Sequence, residues 1–158
     1  MSLFTRIQDL VAAITGRLAS FPPALARLCL GVSFILSGWG KLHGLDGVTQ
    51  YFTELHIPAP AIQAAFISGL EFFGGILVLA GLLTRVVSAL LACTMTVAIL
   101  TAKLADVNGL GDVPGLAGTI EFAYLAMFVW LVVAGAGALS LDHLVWKTIQ
   151  RRNHVYAS

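Results

Sequence analysis

Four charged residues lie within or beside long apolar stretches of the sequence and are the first candidates for chemistry. Glu71 stands near the middle of the apolar run 61–83, whereas Lys41, Lys103 and Glu121 stand near the ends of three other apolar runs. An ionised carboxylate at membrane depth costs about 2.5 kcal/mol or more, unless it faces other helices, has a partner or is protonated. Intramembrane acids and lysines that meet can bind a polar head group or transfer a proton.

The apolar runs that position these residues are long enough to cross a bilayer as helices. A hydrocarbon core about 30 Å thick needs roughly 20 helical residues. Of the 158 residues, 58% are hydrophobic and only 11% are charged, whereas a soluble domain carries about 25% charged residues. We therefore predict an all-α integral membrane four-helix bundle. Its spans are at about 24–42, 61–83, 86–105 and 119–139.

The orientation follows from the charges outside the spans. The side that holds both termini carries six basic residues: Arg6, Arg17, Arg85, Lys147, Arg151 and Arg152. The opposite loops carry four acids: Asp46, Glu54, Asp106 and Asp112. By the positive-inside rule, both termini are cytoplasmic. In this layout Lys41, Lys103 and Glu121 approach the outer membrane face, and Glu71 lies deeper.

Three segments are predicted outside the spans. Residues 1–20 have apolar side chains at three- and four-residue steps, which indicates an amphipathic helix lying flat on the membrane surface. The alternative is a helix packed on other protein. Residues 48–55 could form a short helix on the outer surface, and residues 143–158 form a basic cytoplasmic tail.

The first span has a face that should point into the bundle. Its members recur at steps of four, three, four and three: Arg27, Gly31, Phe34, Gly38 and Lys41. Small residues in the middle of this face allow another helix to approach closely. The two cations at its ends could instead be anchors that extend to the two membrane surfaces.

Glycines and a cap complete the predicted packing. Gly74, Gly75 and Gly81 follow Glu71 on the second span and provide surfaces for close helix approach. Ser140 can cap the last helix, with Asp142 in its first turn.

Other kinds of site find little support in the sequence. His43 and His56 are isolated, so no metal site is predicted. Cys29 and Cys93 form no Cys-x-x-Cys pair and are expected to be buried packing residues. The net charge of +1 argues against nucleic-acid binding, which needs a basic patch.

The charged residues leave two interpretations open. They could be buried ion pairs that fix the register of the helices. They could instead line a polar pocket that opens outward, with Tyr124 beside Glu121 at the start of the fourth span. The candidate ligand-binding residues are Lys41, Glu71, Lys103, Glu121 and Tyr124.

Lined up in order, these residues resemble the pattern of the DoxX family, small four-span bacterial membrane proteins. The matching pieces are Arg27-x-x-x-Gly31, Gly38-x-x-Lys41, Glu71-x-x-Gly74-Gly75, Gly81-x-x-Thr84-Arg85, Glu121 and Gly137-x-x-Ser140-x-Asp142. The resemblance covers about residues 24–142 and leaves out the N-terminal helix and the basic tail. It implies a bacterial inner-membrane protein. The motif residues to which we assign a structural role are Arg27, Gly31, Gly38, Gly74, Gly75, Gly81, Arg85, Ser140 and Asp142.

Three functions are compatible with this resemblance. Family members include membrane subunits of a thiosulfate:quinone oxidoreductase, and others are associated with oxidative-stress and sulfur-handling partners. The first hypothesis is therefore a redox-linked membrane subunit with a pocket for a quinone or a small reductant. In it Glu71 or Glu121 takes the proton, and the aromatic walls are Tyr124, Phe128 and Trp39. The second is a non-catalytic scaffold for partner proteins, and the third is a small-molecule transporter that acts as a homo-oligomer. Whether the chain is itself catalytic stays open.

Overall fold

The computed structural model describes residues 20–104, 107, 109 and 111–156 of the chain. The amphipathic helix predicted for residues 1–20 therefore lies almost wholly outside the described residues. Within them every regular element is a helix and no strand occurs. The predicted all-α class is confirmed.

The helices are numbered α1 to α7 in chain order. They are α1 Phe21–His43, α2 Leu45–Glu54, α3 Pro60–Ala80, α4 Thr84–Ala98 with a π-helical continuation Ile99–Lys103, α5 Val113–Ala117, α6 Ile120–Ala134 and α7 Leu141–Tyr156. Three of these, α1, α3 and α4 with its continuation, are long and apolar enough to span a membrane. The short helix expected around residues 48–55 is present as α2.

The fourth apolar helix is shorter than the predicted span 119–139. α6 has 15 residues, which corresponds to a length of about 22 Å. It ends because Gly135 and Gly137 adopt positive φ angles of 79° and 76°, a backbone region that glycine enters without steric cost. The rest of the predicted span is an irregular stretch that leads to α7.

The bundle is built from two closely packed helix pairs. α1 packs along α3 and α4 packs along α6, and the contact between α3 and α4 joins the pairs. Their shared core contains fully buried apolar side chains: Leu30, Val78, Leu91, Phe128 and Leu131. α2 lies against α3 and buries none of its own residues.

Glycines set the distance between α1 and α3. A Cβ added at Gly38 would collide with the backbone of Phe72, and a Cβ at Gly75 would lie 2.7 Å from the backbone nitrogen of Ile35. Gly31 faces Leu79 in the same seam. The two backbones are therefore too close to accommodate any larger residue at these positions.

The outer surface of the bundle is apolar, as lipid contact requires. Leu36, Phe66 and Phe73 are each more than 60% exposed. Cys29 and Cys93 are also exposed, so the prediction that both cysteines are buried was wrong. In a membrane bundle an apolar residue can face lipid as readily as the protein core, and apolarity alone does not predict burial.

Candidate functional site

A cavity of about 690 Å³ opens among α1, α2, α3, α4 and α6. It lies at the end of the bundle where α1 and the π-helical continuation end and where α6 begins. All five residues predicted to bind a ligand line this cavity: Lys41, Glu71, Lys103, Glu121 and Tyr124. The layout derived from the spans therefore predicted correctly that these five side chains lie together at one end of the bundle.

Glu71 is the most buried of the polar residues that line the cavity. Lys41 Nζ lies 2.5 Å from Glu71 Oε1, and the Ser37 hydroxyl donates a hydrogen bond to Oε2 at 2.9 Å. The Glu71 side chain is only 3% exposed, whereas that of Lys41 is 36% exposed. Both carboxylate oxygens therefore have a partner on α1, and the carboxylate faces the cavity from α3.

A second, looser ion pair lies across the cavity. Lys103 Nζ is 3.8 Å from Glu121 Oε1, and the two side chains are 33% and 21% exposed. Lys103 ends the π-helical segment, whose wider turn places Thr101, Ala102 and Lys103 in the cavity wall. Single π turns inside α-helices occur frequently at functional sites. The cavity thus presents two ammonium groups and two carboxylates.

The aromatic walls differ from those predicted. Tyr124 lines the cavity with Phe34, Tyr51 and Phe52. The ring of Phe128 is fully buried and packs edge-on against Phe34 at 4.9 Å, outside the cavity. Trp39 is 54% exposed and packs against His43 and Phe72. Phe128 and Trp39 were therefore wrongly assigned to the cavity wall.

Several lining residues were not found from the sequence. Ser33 and Ser37 precede Lys41 by eight and four residues, so the helical period could have placed them on the same face. By contrast, Tyr51 and Phe52 come from α2, which borders the cavity without burying any residue. A short amphipathic helix in a loop does not reveal which surface it covers.

The structural residues of the sequence motifs gather at the opposite end of the bundle. The buried Arg27 guanidinium donates to the carbonyls of Leu79 and Leu139, and Gly81 packs against it. Asp142 accepts hydrogen bonds from the backbone N–H groups of Leu83 at 2.8 Å and Thr84 at 3.0 Å. The motif pieces that are distant in the sequence thus form one junction among α1, α3, α4 and α7.

Two other motif positions have local roles. Ser140 Oγ accepts a hydrogen bond from the backbone N–H of His143 at 3.2 Å and so caps α7, as its position suggested. Gly74 packs against Val87 and Leu91 between α3 and α4. Among the described residues no group of three His, Cys, Asp or Glu side chains is placed to hold a metal ion.

Comparison with known proteins identifies the family. The family model described as DoxX matches residues 23–104, slightly more than half of the chain. The chain belongs to the DoxX family. The matched segment runs from the third residue of α1 to the end of α4 with its π-helical continuation and includes Lys41 and Glu71. The DoxX region therefore supplies the tighter ion pair of the cavity.

Curated relatives of this DoxX protein cover most of its length. The chain is 35% identical to "Putative oxidoreductase CatD" of Bacillus subtilis (strain 168), over 78% of this chain and 86% of that protein. It is 34% identical to "Inner membrane protein YqjF" of Escherichia coli (strain K12), over 78% of this chain and 91% of the relative. It is also 30% identical to "Inner membrane protein YphA" of the same strain, over 75% and 86% of the two chains.

No solved structure matches the chain significantly. Together with the apolar helices, the inner membrane relatives support a place in the bacterial inner membrane.

Proposed function

We propose that this DoxX protein is a redox-associated subunit of the inner membrane whose cavity binds a quinone-type head group. The observation that carries the proposal is the buried Glu71 carboxylate, which is held by Lys41 and Ser37 and faces a cavity with a second ion pair. An ion pair that served packing alone would need no open space beside it. Here the charged groups border about 690 Å³ instead.

The lining has the mixed character that a quinone-type ring requires. The ring faces would contact aromatic and aliphatic side chains such as Phe34, Tyr124 and Met95. The ring oxygens accept hydrogen bonds, and the ammonium groups of Lys41 and Lys103 are strong donors. A pocket that is mostly apolar with a few converging polar groups is the usual form of a small-molecule site.

Reduction of a quinone to a quinol consumes two electrons and two protons. We assign to this chain the binding of the ring and the transfer of one proton, which Glu71 or Glu121 first takes up and then passes to a ring oxygen. The second proton comes, in this proposal, from water at the open mouth of the cavity. The electrons come, in this proposal, from a protein partner in a redox or stress-response assembly. The Bacillus subtilis relative CatD is named an oxidoreductase, and this name supports a redox context.

We also propose which face of the membrane the cavity opens toward. With both termini in the cytoplasm, the cavity opens near the outer face of the inner membrane, and the junction around Asp142 lies near the cytoplasmic face. The asymmetry of basic and acidic residues between the two sets of loops supports this orientation.

A binding titration tests the proposed function. The purified protein in neutral detergent would be titrated with a short-chain ubiquinone analogue by isothermal calorimetry, together with Glu71→Gln and Glu54→Gln. Glu54 is an exposed carboxylate on α2 that accepts a hydrogen bond from Gln50 and does not line the cavity. We expect binding by the wild type, a loss of tenfold or more in affinity for Glu71→Gln, and no change for Glu54→Gln. Equal affinities in all three proteins would contradict the proposal.

A further inference from the structure

Arg85 lies at the end of the bundle opposite the cavity, and its guanidinium has no hydrogen-bond or ion-pair partner in the described part of the chain. It is the second residue of α4, its side chain is exposed, and it makes no hydrogen bond or ion pair there. Its guanidinium lies across the backbone of Gly135, where an added Cβ would be 3.2 Å from Nε. An arginine held against backbone yet unpaired is available for an anion from outside the chain.

The surroundings of Arg85 form an open depression of about 530 Å³ between α4, the end of α6 and α7. His143 and Trp146 line it from α7, and Gly135 and Gly137 line it from the stretch after α6. The imidazole of His143 can provide a second hydrogen-bond donor. Tryptophan is enriched where apolar chains meet the polar membrane surface.

Asp142 also lines this depression, but its charge is already compensated. One carboxylate oxygen accepts the N–H of Leu83 and the other accepts the N–H of Thr84. The buried guanidinium of Arg27 attracts the same carboxylate. Arg85 therefore contributes a positive charge to the depression that no carboxylate in the lining neutralises.

Apolar side chains continue from the depression along the outside of the bundle. Leu83, Val86 and Leu90 are 57%, 60% and 46% exposed. An acyl chain could lie along this lipid-facing side of α4 while its head group reaches Arg85. A free anion would gain nothing from these apolar contacts.

We propose that this depression is a binding site for an anionic phospholipid, with the phosphate at Arg85 and His143. Arginine binds phosphate through two parallel N–H donors, a geometry that lysine cannot reproduce. The proposal concerns the end of the bundle opposite the cavity and does not depend on quinone binding.

Thermal unfolding in a neutral detergent tests the site. Phosphatidylglycerol, phosphatidylcholine or inorganic phosphate would be titrated into wild type, Arg85→Gln and Lys147→Gln. Lys147 is an exposed cation on α7 outside the depression, so its removal matches the change in net charge. A ligand that binds only the folded protein raises the melting temperature by an amount that grows with the logarithm of its concentration relative to Kd.

We expect phosphatidylglycerol to raise the melting temperature of the wild type and of Lys147→Gln. Its apparent affinity should fall about tenfold in Arg85→Gln, as the loss of a charge-assisted pair implies. Neither inorganic phosphate nor phosphatidylcholine should stabilise the protein comparably. Stabilisation by inorganic phosphate alone would show a simple anion site and overturn the lipid assignment. Equal responses to both lipids, or equal losses in the two variants, would also overturn it.

Arg85→Gln could itself impair folding, because the guanidinium packs over Gly135. His143→Ala provides a second variant, since its imidazole lines the depression from α7. The expected result is a weaker response to phosphatidylglycerol with the melting temperature in lipid-free detergent little changed. A full phosphatidylglycerol response in His143→Ala would remove His143 from the site and contradict the proposal as stated.

Discussion

Lys41 and Glu71 form an ion pair whose two members differ in their access to solvent. The carboxylate side chain is 3% exposed and the lysine side chain is 36% exposed, although their charged atoms are 2.5 Å apart. Removing one partner therefore has different consequences from removing the other. A lysine left alone can still extend toward water, whereas a carboxylate left alone stays buried.

The first prediction uses this asymmetry. Lys41→Met should lower the free energy of unfolding by about 3 kcal/mol, because it leaves a buried carboxylate without its cation. Glu71→Gln should cost about 1 kcal/mol, because the glutamine can keep the hydrogen bond from Ser37 and the ammonium is partly solvated. The double variant should recover part of the loss of Lys41→Met. Unfolding in mixed detergent micelles measures all three, and equal costs for the two single changes would contradict the argument.

The second prediction concerns the seam between α1 and α3. Gly75→Ala should destabilise the protein by about 1–3 kcal/mol, since the new methyl group would meet the backbone of Ile35 and Gly31. Gly69→Ala is the matched control on the same helix, because nothing lies within 4 Å of its Cβ position. That change should be neutral or slightly stabilising. Melting temperatures in one detergent compare the two, and similar losses would rule out close approach as the cause.

The third prediction concerns the carboxylate that joins α7 to the turn between α3 and α4. Asp142→Ala removes the acceptor for two backbone N–H groups and should cost about 2 kcal/mol. Asp142→Asn retains one carbonyl acceptor and should cost less. The same unfolding assay measures both variants, and hydrogen exchange at Leu83 and Thr84 should accelerate in Asp142→Ala. Unchanged exchange at these two amides would contradict the capping role.

The fourth prediction separates binding from stability on α2. Tyr51→Ala should weaken quinone binding roughly three- to tenfold. An aromatic contact contributes about 0.5–1.5 kcal/mol of binding free energy, which corresponds to a change in affinity of that size. Its melting temperature should hardly change, since no residue of α2 is buried. Thr53→Ala is the control, because its hydroxyl donates to the Thr49 carbonyl in the same helix and Thr53 does not line the cavity. A large loss of stability in Tyr51→Ala would instead show that α2 supports the fold.

The fifth prediction is the orientation in the membrane. Single cysteines at Asp46 and Gln150, which are both exposed, would be introduced after replacement of Cys29 and Cys93. An impermeant maleimide added to intact spheroplasts should label position 46 and not position 150, which should react only after permeabilisation. The reverse pattern would place the termini outside and would move the cavity to the cytoplasmic face.

The sequence was most informative about features that depend only on the helical period or on the position of a residue along a membrane span. The spacing of Arg27, Gly31 and Gly38 predicted an inward face, and all three are contact positions in the bundle. The membrane layout also placed Lys41 and Lys103 at one end with Glu121. In such cases helix geometry and bilayer thickness constrain position without knowledge of the tertiary contacts.

The sequence did not predict which side chains on different helices contact each other. Nothing in the chain distinguished Lys41 from Lys103 as the partner of Glu71, because that choice depends on the rotation of each helix in the bundle. The role of Asp142 was missed for the same reason. Its predicted place in the first turn of α7 is confirmed. The sequence did not reveal that its carboxylate also binds the start of α4. The early end of α6 at Gly135 likewise depends on a local backbone conformation.

The bonds between Asp142 and the turn after α3 have a consequence for biosynthesis. Leu83 and Thr84 lie 59 and 58 residues before the carboxylate that binds them, and Leu83 holds a positive φ of 52°. A ribosome makes about 5–20 residues each second, so the turn exists for several seconds before its acceptor emerges. During that interval the amides of Leu83 and Thr84 lack the acceptor that they have in the folded protein. The hairpin is therefore locked only when α7 has been synthesised, and a chain truncated before Asp142 should insert yet remain susceptible to proteolysis at this turn.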